Sequence, residues 1–232
     1  MNIKDKTVVI TGGSKGLGKV LAEVFKNEGA NVIICSKNKE EIEKTANEIG
    51  VVSFVADVTK ETEMQKLAEF TVQKFEGIDI WINNAGVLHE FSADEQYIDV
   101  QKAKNILDVN LFGTIFGARS ALNHMKLVKK GIIINIISTA ALDASKAKNL
   151  KIYFASKWAV NGYTKALMAE NTDSGVSIMA VYPGGVQTDL WRTYKPDNID
   201  QFMKSEYVVE KIMSNLKSEN PEQELIIKRP II

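Results

Sequence analysis

The sequence predicts an α/β protein with a doubly wound parallel sheet of about seven strands in a single domain. Three observations predict this fold. Short runs of β-branched and other apolar residues recur along the chain, most of these runs are apolar throughout, and segments long enough for helices separate them. Continuous apolar runs are typical of strands that helices cover on both faces. A chain of 232 residues, 45% of them hydrophobic, can bury one large core.

The predicted strands follow one another at intervals that leave room for crossover helices. The runs are T-V-V-I-T-G from residue 7, N-V-I-I-C-S from 31, V-V-S-F-V-A from 51, I-D-I-W-I-N-N from 78, I-I-I-N-I-I-S from 132, V-S-I-M-A-V-Y from 176 and E-L-I-I-K from 224. The alternation of strands and helices is interrupted only at about residues 188–204. We interpret that segment as a substrate loop or lid, because long irregular connections in compact domains usually serve a function.

Charge and cysteine content argue against several classes of function. The 29 basic and 29 acidic residues balance, so no overall field attracts nucleic acid or an anionic membrane. Cys35 is the single cysteine, and with only two histidines a metal site is not expected. The apolar run near the start is too short for a signal peptide, and residues 131–138 are too few to cross a bilayer. We therefore expect a soluble, cytoplasmic protein whose partner is a small molecule.

A glycine-rich turn joins the first predicted strand to the first predicted helix. Gly12, Gly16 and Gly18 fall within seven residues, in T-G-G-S-K-G-L-G. Bare N–H groups and the positive end of a helix dipole at such a turn form an anion site. Gly12 would permit the tight turn, Gly16 the approach of a pyrophosphate, and Gly18 close helix packing. Taken alone, the turn could also be an ordinary strand–helix connection.

The order of several motifs gives this turn a more specific meaning. From Thr11 the chain has T-G-x-x-x-G-x-G, and it continues with D-V at 57–58, N-N-A-G at 83–86, V-N-L at 109–111, Ser138, Y-x-x-x-K at 153–157 and P-G-x-x-x-T at 183–188. In these motifs the sequence resembles the short-chain dehydrogenase/reductase family in its compact, single-domain form. The resemblance implies a Rossmann-type fold, with residues 1–232 as one dinucleotide-binding and catalytic domain.

The resemblance also implies which residues hold a nicotinamide dinucleotide. Asp57 would contact the adenine, the backbone of residues 83–86 would line the cleft, and Thr188 would hold the carboxamide. The implied cofactor-binding residues are Gly12, Ser14, Lys15, Gly16, Leu17, Gly18, Ser36, Lys37, Asp57, Val58, Asn84, Ala85, Gly86, Tyr153, Lys157, Pro183, Gly184, Val186 and Thr188.

The end of the second strand bears on the choice between NADP and NAD. Enzymes that choose NAD usually place a carboxylate there, which binds the ribose hydroxyls and repels a 2′-phosphate. This chain has C-S-K-N at residues 35–38, with no acid. Ser36 and Lys37 can donate to a phosphate, and Lys15 could reach it from the glycine turn. We therefore expect NADP(H), with NAD(H) as the alternative if these lysines are merely solvated.

Tyr153 and Lys157 are the predicted catalytic pair. Residues four apart share a helix face, so the ammonium can lie near the phenol and lower its pKa. Tyr153 would then act as general acid or base, and Ser138 would bind the carbonyl oxygen as charge develops on it. The resemblance implies that Lys157 also binds the ribose and that Asn110 holds a water linking this lysine to solvent.

Two other features bear on this assignment. Tyr207 and Lys211 also match Y-x-x-x-K, but no serine at a strand end accompanies them, and Tyr207 is expected to pack against the core. Fourteen residues separate Ser138 from Tyr153, more than is commonest in the family, so this loop is expected to reshape the substrate pocket. Thr139 is a less suitable substitute for Ser138.

The remaining pocket predictions concern the substrate side. The expected walls are residues 140–150, Gly184, Gly185 and residues 191–202, with Leu190, Trp191 and Tyr194 suited either to an apolar substrate group or to packing of the lid on its own core. His89 is expected either to face the substrate or to be structural, and His124 is expected to be structural.

We thus expect an NADP-dependent oxidoreductase that moves a hydride between the nicotinamide and a carbonyl or secondary alcohol, with reduction favoured. The alternatives are an NAD-dependent alcohol dehydrogenase of the same family and a non-catalytic dinucleotide-sensing protein. By analogy with the family, helices around 105–128 and 153–170 would build a homodimer or homotetramer.

Overall fold

The computed structural model describes residues 1–91, 97–145, 147–192 and 194–230. Seven strands form one sheet in the order β3-β2-β1-β4-β5-β6-β7, and every neighbouring pair is parallel. The predicted fold class is therefore confirmed. The strands are β1 (Thr7–Thr11), β2 (Asn31–Ser36), β3 (Val52–Val55), β4 (Ile80–Asn83), β5 (Gly131–Ile136), β6 (Val176–Pro183) and β7 (Glu224–Ile227).

Helices fill the connections between these strands. They are α1 (Gly16–Asn27), α2 (Lys39–Ile49), α3 (Glu61–Phe75), α4 (Val100–Leu107), α5 (Gly113–Val128), α6 (Lys151–Glu170) and α7 (Ser205–Lys217). A π-helical turn, Asp108–Phe112, joins α4 to α5. None of the helices in the described ranges is long and apolar enough to span a membrane.

The core consists of two apolar layers, one on each face of the sheet. Alternate side chains of β1 show the division: Val8 and Ile10 pack with α1, α2 and α7, whereas Val9 packs with α3 and α5. Successive side chains of a strand point to opposite faces, so a strand buried on both faces must be apolar throughout. This is why the runs in the sequence do not alternate.

A buried polar chain ties the centre of the sheet to α6. The Trp81 indole N–H donates to Asn83 Oδ1 at 2.8 Å, and Asn83 Nδ2 donates to Asn135 Oδ1 at 2.9 Å. Asn135 Nδ2 then donates to Thr164 Oγ1 at 3.0 Å. Gly117 of α5 lies against this chain, since a Cβ there would overlap Asn83 Oδ1. The hydrogen bonds fix β4, β5 and α6 relative to one another.

The strand order places a crevice between β1 and β4. From β1 the chain winds outward through β2 and β3, and it then returns to β4 on the other side of β1. The connections after β1 and β4 therefore leave in opposite directions and open a crevice between these two strands. Open α/β sheets bind their ligands in such a crevice. The glycine turn follows β1, and residues 84–86 follow β4.

The predicted lid is more ordered in local structure than the sequence indicated. Two short 3₁₀ turns, Asp189–Arg192 and Ile199–Gln201, lie within it, and an isolated bridge pairs Val186 with Met203 across its base. Thr193 of the lid, and Lys146 of the predicted wall 140–150, lie outside the described residues.

Candidate active site

One cleft of about 1310 Å³ opens at the carboxyl edge of the sheet. It brings together every residue that the sequence placed at the cofactor and catalytic sites except Asn110. Its predicted lining residues are Gly12, Ser14, Lys15, Gly16, Leu17, Gly18, Ser36, Lys37, Asp57, Val58, Asn84, Ala85, Gly86, Ser138, Tyr153, Lys157, Pro183, Gly184, Val186 and Thr188. In the described part of the chain, no three His, Cys, Asp or Glu side chains are grouped so that they could hold a metal ion.

The glycine turn forms a cradle that only glycine backbone permits. Gly12 and Gly16 have φ values of +66° and +53°, and a Cβ on Gly12 would lie 2.8 Å from Ala85 Cα. A Cβ on Gly18 would overlap the Gly12 carbonyl oxygen, so this glycine permits the close approach of α1. Helix α1 begins at Gly16 without a side-chain cap. Its first N–H groups therefore remain available for an anion such as a pyrophosphate.

The loop after β4 is fastened directly to this turn. Thr11 Oγ1 accepts hydrogen bonds from the Asn84 and Ala85 backbone N–H groups, at 3.0 and 3.1 Å. Asn84 Nδ2 donates to the Thr11 and Gly12 carbonyls, at 2.9 and 3.2 Å. The Asn84 side chain thus shapes the cleft, while the backbone of residues 84–86 forms part of its wall.

Asp57 lies in the wall of the cleft. Its Oδ1 accepts hydrogen bonds from the Thr59 backbone N–H at 3.0 Å and from Thr59 Oγ1 at 2.8 Å. Its own N–H donates to Glu63 Oε2 at 2.7 Å. These contacts fix the carboxylate at the cleft wall beside Val58.

Glu41 of α2 also reaches the cleft, and sequence reasoning missed it. Its Oε2 accepts a hydrogen bond from the Ser14 hydroxyl at 3.2 Å, and its Oε1 lies 3.4 Å from the Lys15 ammonium. The end of β2 carries no acid, yet this carboxylate folds back from the first turn of the next helix. A signal was present: Asn38 caps α2 through the Glu41 N–H, which places Glu41 in that first turn.

Tyr153 and Lys157 lie in the first two turns of α6, both buried. The Ser138 hydroxyl lies beside the Tyr153 phenol and lowers its pKa, but burial has the larger effect and raises the pKa of Tyr153 to about 12. The Lys157 ammonium is 5.8 Å from the centre of the Tyr153 ring and donates to the Ile136 carbonyl at 3.1 Å. Burial lowers the pKa of Lys157 to about 8. The predicted lowering of the Tyr153 pKa is therefore wrong here, because desolvation of the phenolate outweighs other effects.

Ser138 lies beyond the strand that was predicted to end with it. Strand β5 ends at Ile136, and Ser138 instead begins the 3₁₀ turn Thr139–Ala141. Its Oγ accepts a hydrogen bond from the Ala140 N–H at 3.1 Å. The hydroxyl thus has a fixed position opposite the Tyr153 phenol.

Asn110 lies behind the cleft, within the π-helical turn. Its Nδ2 donates to the Val87 carbonyl and to Ser156 Oγ, both at 3.0 Å, and its Oδ1 accepts from the Val87 N–H at 2.8 Å. The Ser156 hydroxyl in turn donates to the Tyr153 carbonyl at 2.7 Å. Both amide hydrogens of Asn110 are therefore engaged in holding the β4 loop against α6.

An apolar cluster surrounds the ring of Tyr153. Its buried members are Leu88, Ala140, Leu150, Tyr153 and Phe154, and Ala147, Leu190, Trp191 and Tyr194 pack against them. The lid residues Leu190, Trp191 and Tyr194 therefore pack on the buried cluster and cover the candidate catalytic tyrosine. The Trp191 indole N–H donates to the Val186 carbonyl at 2.9 Å, which fastens the lid to the exit of β6.

The long loop before Tyr153 is pinned to the segment after β4. Asn149 accepts the Phe91 N–H at 2.8 Å through its backbone carbonyl and donates its side-chain amide to Glu90 at 2.8 Å. His89 lines the cleft, and its Nε2 lies 3.0 Å from Asn105 Nδ2. Tyr207, the other tyrosine with the Y-x-x-x-K spacing, packs against the core as predicted.

Comparison with known proteins identifies the family. The short chain dehydrogenase family model matches residues 6–199. The chain belongs to this family. It is therefore an oxidoreductase of a family that uses nicotinamide cofactors, as the sequence motifs indicated.

The relatives of this chain include uncharacterised oxidoreductases and a protein with a named activity. An uncharacterised oxidoreductase of Staphylococcus aureus (strain MRSA252) is 34% identical over 197 residues, which cover 84% of each chain. A diacetyl reductase [(S)-acetoin forming] of Staphylococcus epidermidis is 35% identical over 204 residues, covering 85% of this chain and 76% of that one.

A solved short-chain dehydrogenase structure matches nearly the whole fold. The 3-ketoacyl-(acyl-carrier-protein) reductase of Brucella melitensis, complexed with NADH, superimposes with a TM-score of 0.86 over 97% of both chains at 28% identity.

Proposed function

We propose that this protein is an NADP-dependent reductase of ketones or aldehydes, with Tyr153 as the proton donor. The observation that carries the proposal is a single cleft that joins a glycine cradle to a buried tyrosine. The tyrosine lies in this cleft with Ser138 and is flanked by the buried Lys157. Few protein functions require both an anion site and a protonated phenol in one cleft. A dinucleotide-dependent carbonyl reductase needs both.

The chain's residues fit the cofactor. Gly16 and the uncapped start of α1 would hold the pyrophosphate, Asp57 the adenine and Thr188 the nicotinamide amide. When bound, NADPH supplies the hydride. The apolar cluster around Tyr153 would exclude water from the reacting carbonyl.

Proton transfer is the task of the side chains at the floor of the cleft. Ser138 would donate a hydrogen bond to the carbonyl oxygen as negative charge develops there. Tyr153 would then give its proton to that oxygen. The Lys157 ammonium, held by the Ile136 carbonyl, would stabilise the phenolate that remains. We assign Asn110 a positioning role, because its amide holds Val87 and Ser156.

The protonation state of Tyr153 suits the proposed role as a proton donor. With its pKa raised to about 12, the phenol keeps its proton at neutral pH and is prepared to act as an acid. Oxidation of an alcohol would require the phenolate, which burial disfavours. We therefore propose that near neutral pH most of the protein is in the protonation state that carbonyl reduction requires.

The preference for NADP is proposed on the basic and hydroxyl side chains at the adenosine end. Lys15, Ser36 and Lys37 all line the cleft there. Glu41 acts in the opposite sense, because its carboxylate contacts Lys15 and Ser14, and a carboxylate at this place favours the uncharged ribose of NAD. Use of NAD(H) is accordingly a second candidate, and the NADH-bound Brucella relative is consistent with it.

Diacetyl is the first substrate to try. A relative 35% identical to this chain is named a diacetyl reductase, and the cluster around Tyr153 suits a small, uncharged carbonyl compound. A 3-ketoacyl thioester is the second, from the name of the Brucella relative. We also propose a cytoplasmic homodimer or homotetramer, supported by the exposed Phe112 and Trp158 near α4 and on α6.

Steady-state turnover tests the proposal. Loss of NADPH absorbance would be followed with diacetyl, other ketones, aldehydes and acyl thioesters, with NADH in parallel. We expect Tyr153→Phe to lower kcat by roughly a hundredfold or more, since a general acid contributes about 10²–10⁴ in rate. Tyr207→Phe is the matched control, because it removes the same hydroxyl from the other Y-x-x-x-K pair, and it should retain wild-type activity.

Two outcomes would count against the proposal. Full activity of Tyr153→Phe would remove the tyrosine from its assigned role. If the wild-type protein binds NADPH but reduces no carbonyl in the panel, a dinucleotide-sensing function becomes the better account.

A further inference from the structure

Glu41 pairs with Lys15, one of the three side chains expected to bind a 2′-phosphate of NADP, and with the neighbouring Ser14 hydroxyl. Its carboxylate takes one contact through each oxygen, from the Ser14 hydroxyl at 3.2 Å and from the Lys15 ammonium at 3.4 Å. All three residues line the cleft. The Glu41 carboxylate is therefore an anion of the protein itself that lies beside Lys15, a candidate phosphate-binding residue.

The surrounding structure holds Glu41 in this place. Asn38 caps α2 by accepting the Glu41 N–H at 3.1 Å, so the start of the helix is fixed. One turn later the Thr45 hydroxyl donates to the Ser14 carbonyl at 2.8 Å, and Thr45 is buried. The Thr45–Ser14 hydrogen bond thus joins α2 to the glycine turn without the help of Glu41, so the backbone that carries Glu41 stays beside the turn.

We propose that Glu41 is a specificity-determining residue that competes with the 2′-phosphate for Ser14 and Lys15. It thereby limits the preference of this protein for NADP over NAD. The inference rests on the proposed function, in that it requires a dinucleotide to bind in this cleft.

Electrostatics gives the direction of the effect. A 2′-phosphate brings nearly two negative charges next to the Glu41 carboxylate and must replace it at Lys15. A ribose hydroxyl brings no charge and can donate a hydrogen bond to a carboxylate. The Lys15–Glu41 pair is about half exposed, with side-chain exposures of 45% and 44%, so solvent screens the interaction and the effect will be moderate.

Glu41→Gln tests this directly, because glutamine keeps the size of the side chain and removes its charge. We would measure binding of adenosine 2′,5′-bisphosphate and of 5′-AMP by calorimetry, since the 2′-phosphate is the only difference between these probes. NADP⁺ and NAD⁺ form a second pair of probes. Within each pair, Glu41→Gln should lower the dissociation constant of the 2′-phosphorylated probe about fivefold and change that of the probe without the 2′-phosphate by less than about twofold. The difference should shrink at high salt.

Glu48→Gln is the matched control. Glu48 is on the same helix, is 45% exposed and pairs with Lys19 at 2.8 Å, but it does not line the cleft. Its loss changes the net charge equally and should leave both probes unaffected. Thermal unfolding of both variants would show that the fold is intact.

The outcomes separate the two proposals. If the wild-type protein binds none of the four probes, the proposed function fails and the inference fails with it. If the probes bind but Glu41→Gln leaves the ratio unchanged, only the role of Glu41 is overturned. Weaker binding of the 2′-phosphate in Glu41→Gln would also overturn it, because Glu41 would then orient Lys15 instead of competing for it.

Discussion

Burial sets the protonation of the two ionisable side chains at the floor of the cleft. The pKa of Tyr153 is raised to about 12 and that of Lys157 is lowered to about 8, in both cases because the charged form loses its hydration. At neutral pH the tyrosine is therefore a phenol, and the lysine still carries its charge. This combination suits donation of a proton by Tyr153, since the Lys157 ammonium lies nearby and can stabilise the phenolate that forms.

The pH dependence of carbonyl reduction follows from these values. Below about pH 8 both groups hold the required proton, so kcat/KM should be flat between about pH 6 and 7.5. Above the pKa of Lys157 the ammonium is lost, and the rate should fall although Tyr153 is still protonated. Alcohol oxidation, which needs the phenolate, should instead rise with pH. A reduction rate that stays flat to pH 10 would contradict the role given to Lys157.

At the scale of secondary-structure elements, buried polar contacts hold α6, the helix that carries Tyr153 and Lys157. Thr164 joins it to the Asn83–Asn135 chain at the centre of the sheet, and Ser156 joins it to Asn110. The position of Tyr153 therefore depends on β4, β5 and the π-helical turn. π-helical turns of this kind occur frequently at functional sites.

Two helical glycines test this interpretation. Gly117 of α5 lies against Asn83 of the polar chain, whereas Gly162 of α6 is exposed and a Cβ there would meet no atom within 4 Å. We expect Gly117→Ala to destabilise the protein by about 1–3 kcal/mol through overpacking. Gly162→Ala should stabilise it by about 0.5–1 kcal/mol through helix propensity.

Urea unfolding of the two glycine variants would measure these free energies. The pair is matched, because each replaces a helical glycine by alanine and differs only in what the new methyl group meets. Equal effects of the two substitutions would show that the contact at Gly117 has no energetic importance.

At the scale of the whole molecule, the sheet topology decides where the chemistry takes place. The glycine turn after β1 and the loop after β4 meet at the switch point, and the chain after β5 brings Ser138 and α6 to the same edge. The sequence was sufficient to predict this arrangement, because β-branched apolar runs mark strands and the motifs follow them. All seven predicted strands are present.

What the sequence could not predict depends on contacts between distant segments. Glu41 meets Ser14 across 27 positions of the chain, and no local pattern specifies that pair. The high pKa of Tyr153 depends on packing by Leu88, Leu150 and the lid, which spacing alone does not reveal. For the same reason, the helical spacing of Tyr153 and Lys157 predicted proximity correctly but the wrong pKa direction for the phenol.

The central claim is that this cleft transfers a hydride to a carbonyl with Tyr153 as the acid, and isotope transfer tests it most directly. The protein would be incubated with diacetyl and NADPH deuterated at the transferred position of the nicotinamide, and the product examined by mass spectrometry. We predict one deuterium on the new carbinol carbon with the wild-type protein, and labelled product formed about a hundredfold more slowly or not at all with a Tyr153→Phe variant that still binds NADPH. Binding of NADPH by the wild-type protein without label in the product of any carbonyl offered, or equal rates of labelling by both proteins, would contradict the account.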